Sequence, residues 1–318
     1  MRSLKTVFDL RDEAGVLRIS VAITVFIAAF GIGFGLLSGS FSILFDGVYS
    51  LVDASMSLLA LVVVKLIRTY THGASAEGRR LRERFTMGFW HLEPMVLGLN
   101  GVLLIGVSAY AFFNAITLLI AGGRDLEFGF AIVYAVITVA ACAVAAVLEM
   151  RANRRIRSDF IALDARAWVM SGSITTALLI AFSLGYAVEG TAHEWIAPYI
   201  DPAVLALVCL VIIPIPVGTV RQALSDILLV TPPDLKAHVD AVAHAAVAEH
   251  GFRTFRAYVA KVGRAQQIEL YFIVPPDTPA RRIGEWDAIR DAIGAAIGPD
   301  SPDRWLTITF TGDLEWAD

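Results

Sequence analysis

The sequence is short of charge. Only 18% of its 318 residues are Asp, Glu, Lys or Arg, and 57% are hydrophobic, more than an ordinary soluble domain carries. Cysteine is nearly missing: Cys142 and Cys209 are the two in the chain, and both sit inside apolar runs. That excludes a disulfide framework and a zinc knuckle, and leaves them as small core hydrophobes. The six histidines are scattered, and there is no HExxH, no Ser/His/Asp arrangement and no phosphate-cradling glycine loop. No catalytic reading has a motif to rest on, and no resident cofactor is expected. The net charge of −4 says little, because the placement of charge matters more than its sum.

What the chain has instead is length without charge. Residues 19–45, 94–123, 128–148, 167–188 and 202–220 contain no ionised side chain. A helix needs about 20 apolar residues to cross a bilayer. With residues 41–64, which carry two aspartates, the sequence predicts six spans. Span 1 follows a charged stretch and outruns the apolar part of a signal peptide, so it is expected to be retained.

Charge in the loops orients the spans. The loop between spans 2 and 3 holds Lys65, Arg68, Arg79, Arg80, Arg82 and Arg84, and the loop between spans 4 and 5 holds Arg151, Arg154, Arg155 and Arg157. The opposite loops hold Arg124 alone among basic residues, with Asp125, Glu127, Glu189, Glu194 and Asp201. The positive-inside rule puts both termini of this multi-pass protein in the cytoplasm, and the cytoplasmic (inner) membrane is the expected location. Arginines that flank spans serve this purpose, so no nucleic-acid partner is expected.

After residue 221 the period changes, which divides the chain into a transmembrane domain, 1–221, and a cytoplasmic domain, 222–318. An alanine-rich amphipathic helix is predicted over 235–249, with Gly251 as its C-cap. Strands are predicted over 252–262 and 266–274, the second alternating Ile268, Leu270 and Phe272 against Gln267, Glu269 and Tyr271. A helix over 279–297 and a strand over 305–310 complete an αββαβ order, enough for a small α/β domain.

Ionisable groups in lipid are costly and mark function. On a helix, Asp46, Tyr49 and Asp53 fall within about 60° of arc, and Ser57 shares their face. In span 5, Asp164, Ser171 and Thr175 share a face flanked by Ala167 and Trp168. The two stripes predict a polar path between spans 2 and 5, with Asp53 and Ser171 meeting near mid-membrane. The alternative for each aspartate is a hydrogen bond that packs helices. Asn100 and Asn114 of span 3 are expected in that packing role. IPIP, residues 213–216, should kink span 6.

Three stretches carry a resemblance. SGSFSILFDGVYSLVDASMSLL (38–59), MGFWHLEPMVLGLNGVLL (87–104) and DFIALDARAWVMSGSITTALL (159–179) resemble the second, third and fifth helices of the cation diffusion facilitators. These are secondary transporters that exchange divalent metal for protons. The resemblance extends over nearly the whole chain. It implies a six-helix membrane protein with a cytoplasmic, metallochaperone-like αββαβ domain through which two copies pair. A divalent metal ion would be the exported substrate.

The chain departs from that family at the transport site. The family's tetrahedron takes two ligands from span 2 and two from span 5. The matching positions here are Tyr49 and Asp53, then Ala167 and Ser171, of which Asp53 alone is a strong ligand. Phe89 stands where a histidine is usual, and His238, His244 and His250 of the tail read as surface residues. Three readings remain open. An oxygen-rich metal site could use Asp46, Asp53 and Asp164 with His91 or Glu93, a donor set that suits Mn²⁺ or Mg²⁺ better than zinc. Asp53 with Tyr49, Trp168 and Trp90 could instead take a small organic cation through cation–π contact. The chain could also be a non-transporting partner or sensor. His91 and Glu93 are candidates either for a relay at the cytoplasmic mouth or for a loop-anchoring pair. The metal-site candidates are Asp53, Tyr49, Asp46, Asp164 and Ser171.

Overall fold

A computed structural model describes residues 13–72, 76–156 and 159–318. Arg157, counted above among the orienting charges, lies outside them. Six helical stretches are long and apolar enough to cross a membrane. They correspond to α1 (Glu13–Ser38), α2 (Phe41–His72), α4 (Leu92–Ile120), α5 (Phe128–Ile156), α6 (Asp159–Val188), and the pair α7 (Ala197–Ile212) and α8 (Ile215–Ile227). A short helix, α3 (Ala76–Arg84), lies in the arginine-rich loop. The sixth span breaks between α7 and α8, beside Pro214, where a helical amide is missing.

By packing, the chain falls into two compact units, Met1–Leu58 with Asn100–Gly218, and Leu59–Leu99 with Thr219–Asp318. In the first unit, glycine lets α1 and α2 approach backbone to backbone. A Cβ on Gly47 would lie 2.6 Å from the Ile32 amide nitrogen and 2.9 Å from the Ala28 carbonyl. One on Gly35 would lie 2.6 Å from the Leu44 nitrogen. Small residues serve this purpose between membrane helices, and here they fix α2 beside its first aspartate. Gly39, at φ 74°, makes the turn from α1 into α2. Ile43, Phe128, Tyr134, Leu178 and Phe182 form the main apolar cluster of this unit.

The second unit contains the predicted αββαβ tail. It comprises α9 (Pro233–His250), β1 (Thr254–Val262), β2 (Ala265–Ile273), α10 (Ile283–Ile297) and β3 (Arg304–Thr311). The sheet order is β1-β2-β3, with β1 antiparallel and β3 parallel to β2. Ile268, Leu270 and Phe272 are fully buried, as their alternation requires. They pack on Val239 of α9 and Ile289 and Ile293 of α10. Gly251 caps α9 in the left-handed region at φ 70°. Helix α10 starts four residues later than Pro279, because Glu285 turns back to accept from the Arg282 amide at 3.2 Å and fixes the helix start there.

Candidate functional site

Asp46, Asp53 and Asp201 of the first unit each meet neutral donors. Asp53, partly buried on α2, accepts from Asn100 Nδ2 of α4 at 3.4 Å. Asn100 thus takes the interhelical role expected of it, and its partner is the principal candidate ligand. Asp164 of α6 is near enough to Asp53 for the two charges to interact. Asp46 points elsewhere: Tyr134 of α5 donates its phenol to Asp46 Oδ2 at 2.7 Å. Tyr134 itself is fully buried. Tyr49 packs its ring on Phe45, 5.5 Å between centroids, in an apolar cluster that includes Leu205 and Cys209 of α7.

Ser171 is engaged by α5. The Cys142 thiol donates to Ser171 Oγ at 3.8 Å, a weak bond by length and donor. The polar stripe of α6 therefore meets α5 at this point. Thr175 returns its hydroxyl to the Ser171 carbonyl at 3.0 Å. Among the described residues no group of three or more His, Cys, Asp or Glu is gathered to hold a metal ion.

Two acids of the first unit escaped the sequence reading. Glu149, 3% exposed, lies one residue past the charge-free run of span 4, but α5 continues to Ile156 and carries it inside. Trp168 shares its indole N–H between Ser20 Oγ at 2.9 Å and Glu149 Oε1 at 3.1 Å. Oε2 of Glu149 is buried without a hydrogen-bond partner among the described residues. The Asp164 carboxyl group is close enough to Glu149 for the two acids to share a hydrogen bond when one of them is protonated. The Trp168 N–H is thus committed to this cluster.

Asp201 was read as a loop charge. It is 2% exposed and caps the start of α2 from α7. Its carboxylate accepts from Ser40 Oγ at 2.6 Å, the Phe41 amide at 2.9 Å and the Ser42 amide at 3.4 Å. Its carbonyl accepts from Ser42 Oγ at 3.0 Å. Four orphan amides open every helix, and they attract a carboxylate. This one comes from a residue 161 positions away, which joins span 6 to the helix bearing Asp46 and Asp53.

In the second unit Glu93 anchors. It binds Arg264, on the β1–β2 turn, with both oxygens, at 2.9 and 3.0 Å. It also accepts from the Arg264 backbone amide at 3.3 Å. This hydrogen bonding holds the guanidinium above its ordinary value. Of the two roles left open for Glu93, the geometry favours anchoring. His91 is exposed and lines a cavity. Trp90 donates to Asp303 at 3.1 Å. In the tail, His238 meets the Ile297 carbonyl at 3.0 Å, and His244 and His250 lie against Phe255 and Phe252.

No curated protein matches the chain. A family model described as the cation efflux transmembrane domain matches residues 17–228, two thirds of the sequence and all six spans. With six spans, acids inside them and an αββαβ tail already evident, that match shows that the chain belongs to the cation efflux family, the cation diffusion facilitators, whose members are membrane transporters of cations.

Proposed function

We propose that the protein exports a divalent metal cation from the cytoplasm in exchange for protons. It would do so in the cytoplasmic membrane, with both termini inside, as a dimer joined through its tail. The observation that carries this reading is Asp53. It is a carboxylate within a span, held by a neutral amide, with a second acid, Asp164, in range on a different helix. A carboxylate that meets only a neutral donor keeps its charge available to a cation. Protonated, the same group is tolerated among apolar side chains at little cost. One group that takes either a proton or a cation couples the two flows. Oxygen donors without imidazole suit a hard ion such as Mn²⁺ or Mg²⁺, with Asp164 as second ligand, since Asp46, Tyr49 and Ser171 are engaged by Tyr134, Phe45 and Cys142.

The test is flux in proteoliposomes under a pH gradient, with Zn²⁺, Cd²⁺, Mn²⁺, Mg²⁺, Fe²⁺, Co²⁺ and several amines. Metal should move with the unaltered protein and stop in Asp53→Ala, while the variant elutes as a folded protein. Metal flux equal to wild type in Asp53→Ala sinks the mechanism. Flux of amines alone would replace the metal by an organic cation, and no flux of either would turn the reading to a partner or sensor.

A further inference from the structure

A cavity of about 550 Å³ lies wholly within the second unit. Its volume falls in the range of small-molecule sites. Its wall comes from four places in the sequence: the turn into α4, the end of α8, the end of β1 with the start of β2, and β3 with the loop before it. Met87, Met95 and Trp305 line it while remaining 63%, 47% and 40% exposed. Two carboxylates line the same cavity. Asp226 is 6% exposed and has Gln222 Nε2 on one oxygen at 2.6 Å. Asp303 has the Trp90 indole on one oxygen.

The charges around this cavity cancel only in part, and Asp226 is the acid left over. Arg304 lines it, with bonds from its terminal nitrogens to the Gly294 and Gly298 carbonyls and to the exposed Asp300 and with its Nε buried and unpartnered among the described residues, so its charge offsets one of the two acids. Arg264 feels the Asp303 charge but is held by both oxygens of Glu93. Asp226 has a neutral amide as its described partner. A mostly apolar cavity with two tryptophans and a buried, neutrally partnered carboxylate in its lining is complementary to an ammonium ion on an apolar body. Metal is a poorer occupant, because no described cluster supplies three ligands.

We propose that this cavity binds a small amphipathic amine, with its ammonium against Asp226 and its body against Trp90, Trp305, Met87 and Met95. The site is distinct from the carboxylates of the first unit and does not depend on what they transport. An aminophospholipid headgroup offers the same ammonium. It also brings a phosphate close behind, toward two carboxylates, so a soluble amine is the better match. By joining the α4 turn, the end of α8 and the tail strands, a bound amine would hold these segments together.

The experiment is calorimetric titration of the full chain, purified in a detergent free of amine lipids, with 3-phenylpropylammonium and with its neutral partner 3-phenylpropanol. The amine should bind at least about tenfold more tightly than the alcohol, the scale of one lost charge contact. Asp226→Asn should remove that difference and Trp305→Ala should weaken both probes. The amine–alcohol comparison needs no variant, so a misfolded mutant cannot decide the result. Equal affinity for amine and alcohol, or no binding of the amine, overturns the proposal. So does amine binding that Asp53→Ala abolishes and Asp226→Asn leaves intact, since it assigns the ammonium to the first unit. Repeating the titration with phosphatidylethanolamine present tests the source: undiminished amine affinity supports a soluble ligand, and loss of the amine signal overturns it in favour of the headgroup.

Discussion

The acids of the two units are answered differently. In the first unit Asp46, Asp53 and Asp201 meet a phenol, an amide, and hydroxyls with backbone N–H groups. In the second, Asp226 and Asp303 likewise meet an amide and an indole, but Glu93, Asp240, Asp287, Asp300 and Asp318 meet arginine or lysine. A fixed cation satisfies an acid and also occupies it. A neutral donor orients the acid and leaves its charge uncancelled. The first arrangement builds a tail, and the second keeps carboxylates inside a membrane fold able to receive something mobile.

The comparison predicts its own extremes. Asp201 is the neutral-donor acid with the most bonds, and it serves structure. Replacing it by alanine leaves Ser40 Oγ and two amides of α2 buried without an acceptor. Each such loss costs on the order of 1–3 kcal/mol, so Asp201→Ala should destabilise the solubilised protein by about 3 kcal/mol. Asp201→Asn keeps an acceptor oxygen and should recover part of this. Thermal unfolding in detergent measures both. If the alanine variant unfolds like wild type, the capping role is wrong and Asp201 belongs with the unfilled acids.

Asn100 separates orientation from mere packing. Asn100→Leu removes the amide that holds Asp53 and should lower cation flux about tenfold, near the value of one hydrogen bond to a charged group. Asn114 lies on the same helix, with its Nδ2 buried and unpartnered among the described residues. Asn114→Leu removes no bond and should leave flux and stability close to wild type, or raise stability slightly. Equal losses in the two variants would mean that α4 tolerates no change of shape, and would strip Asn100 of its special role.

Much of this fold was legible because its signals are local. A charge-free run predicts a span wherever it occurs, and the alternation of Ile268, Leu270 and Phe272 predicts a strand face without knowledge of the partner. Gly251 announces its own cap. The site was less legible because its bonds are long-range. Asp46 and Tyr134 lie 88 residues apart, Asp53 and Asn100 47, Ser40 and Asp201 161. A helical wheel puts Asp46 and Asp53 on one face, but it cannot say that one turns to α5 and the other to α4. Glu149 was missed for a different reason. Hydropathy ends a span at the last apolar residue, while the helix runs on for as long as its hydrogen bonds do.

The smallest effect is expected where the acid has its cation. Glu93 and Arg264 are 21% and 33% exposed at the side chain, so water screens much of their attraction. Bidentate geometry raises such a pair toward the top of the surface range. A double-mutant cycle with Glu93→Gln and Arg264→Gln should give a coupling energy of about 1 kcal/mol in thermal unfolding, smaller in high salt. Cation flux should change little in either variant if Glu93 only anchors. Were Glu93→Gln to cut flux as deeply as Asn100→Leu while stability held, the fixed cation would not have silenced this acid. Glu93 would then belong to the route, and the contrast between the units would be one of degree.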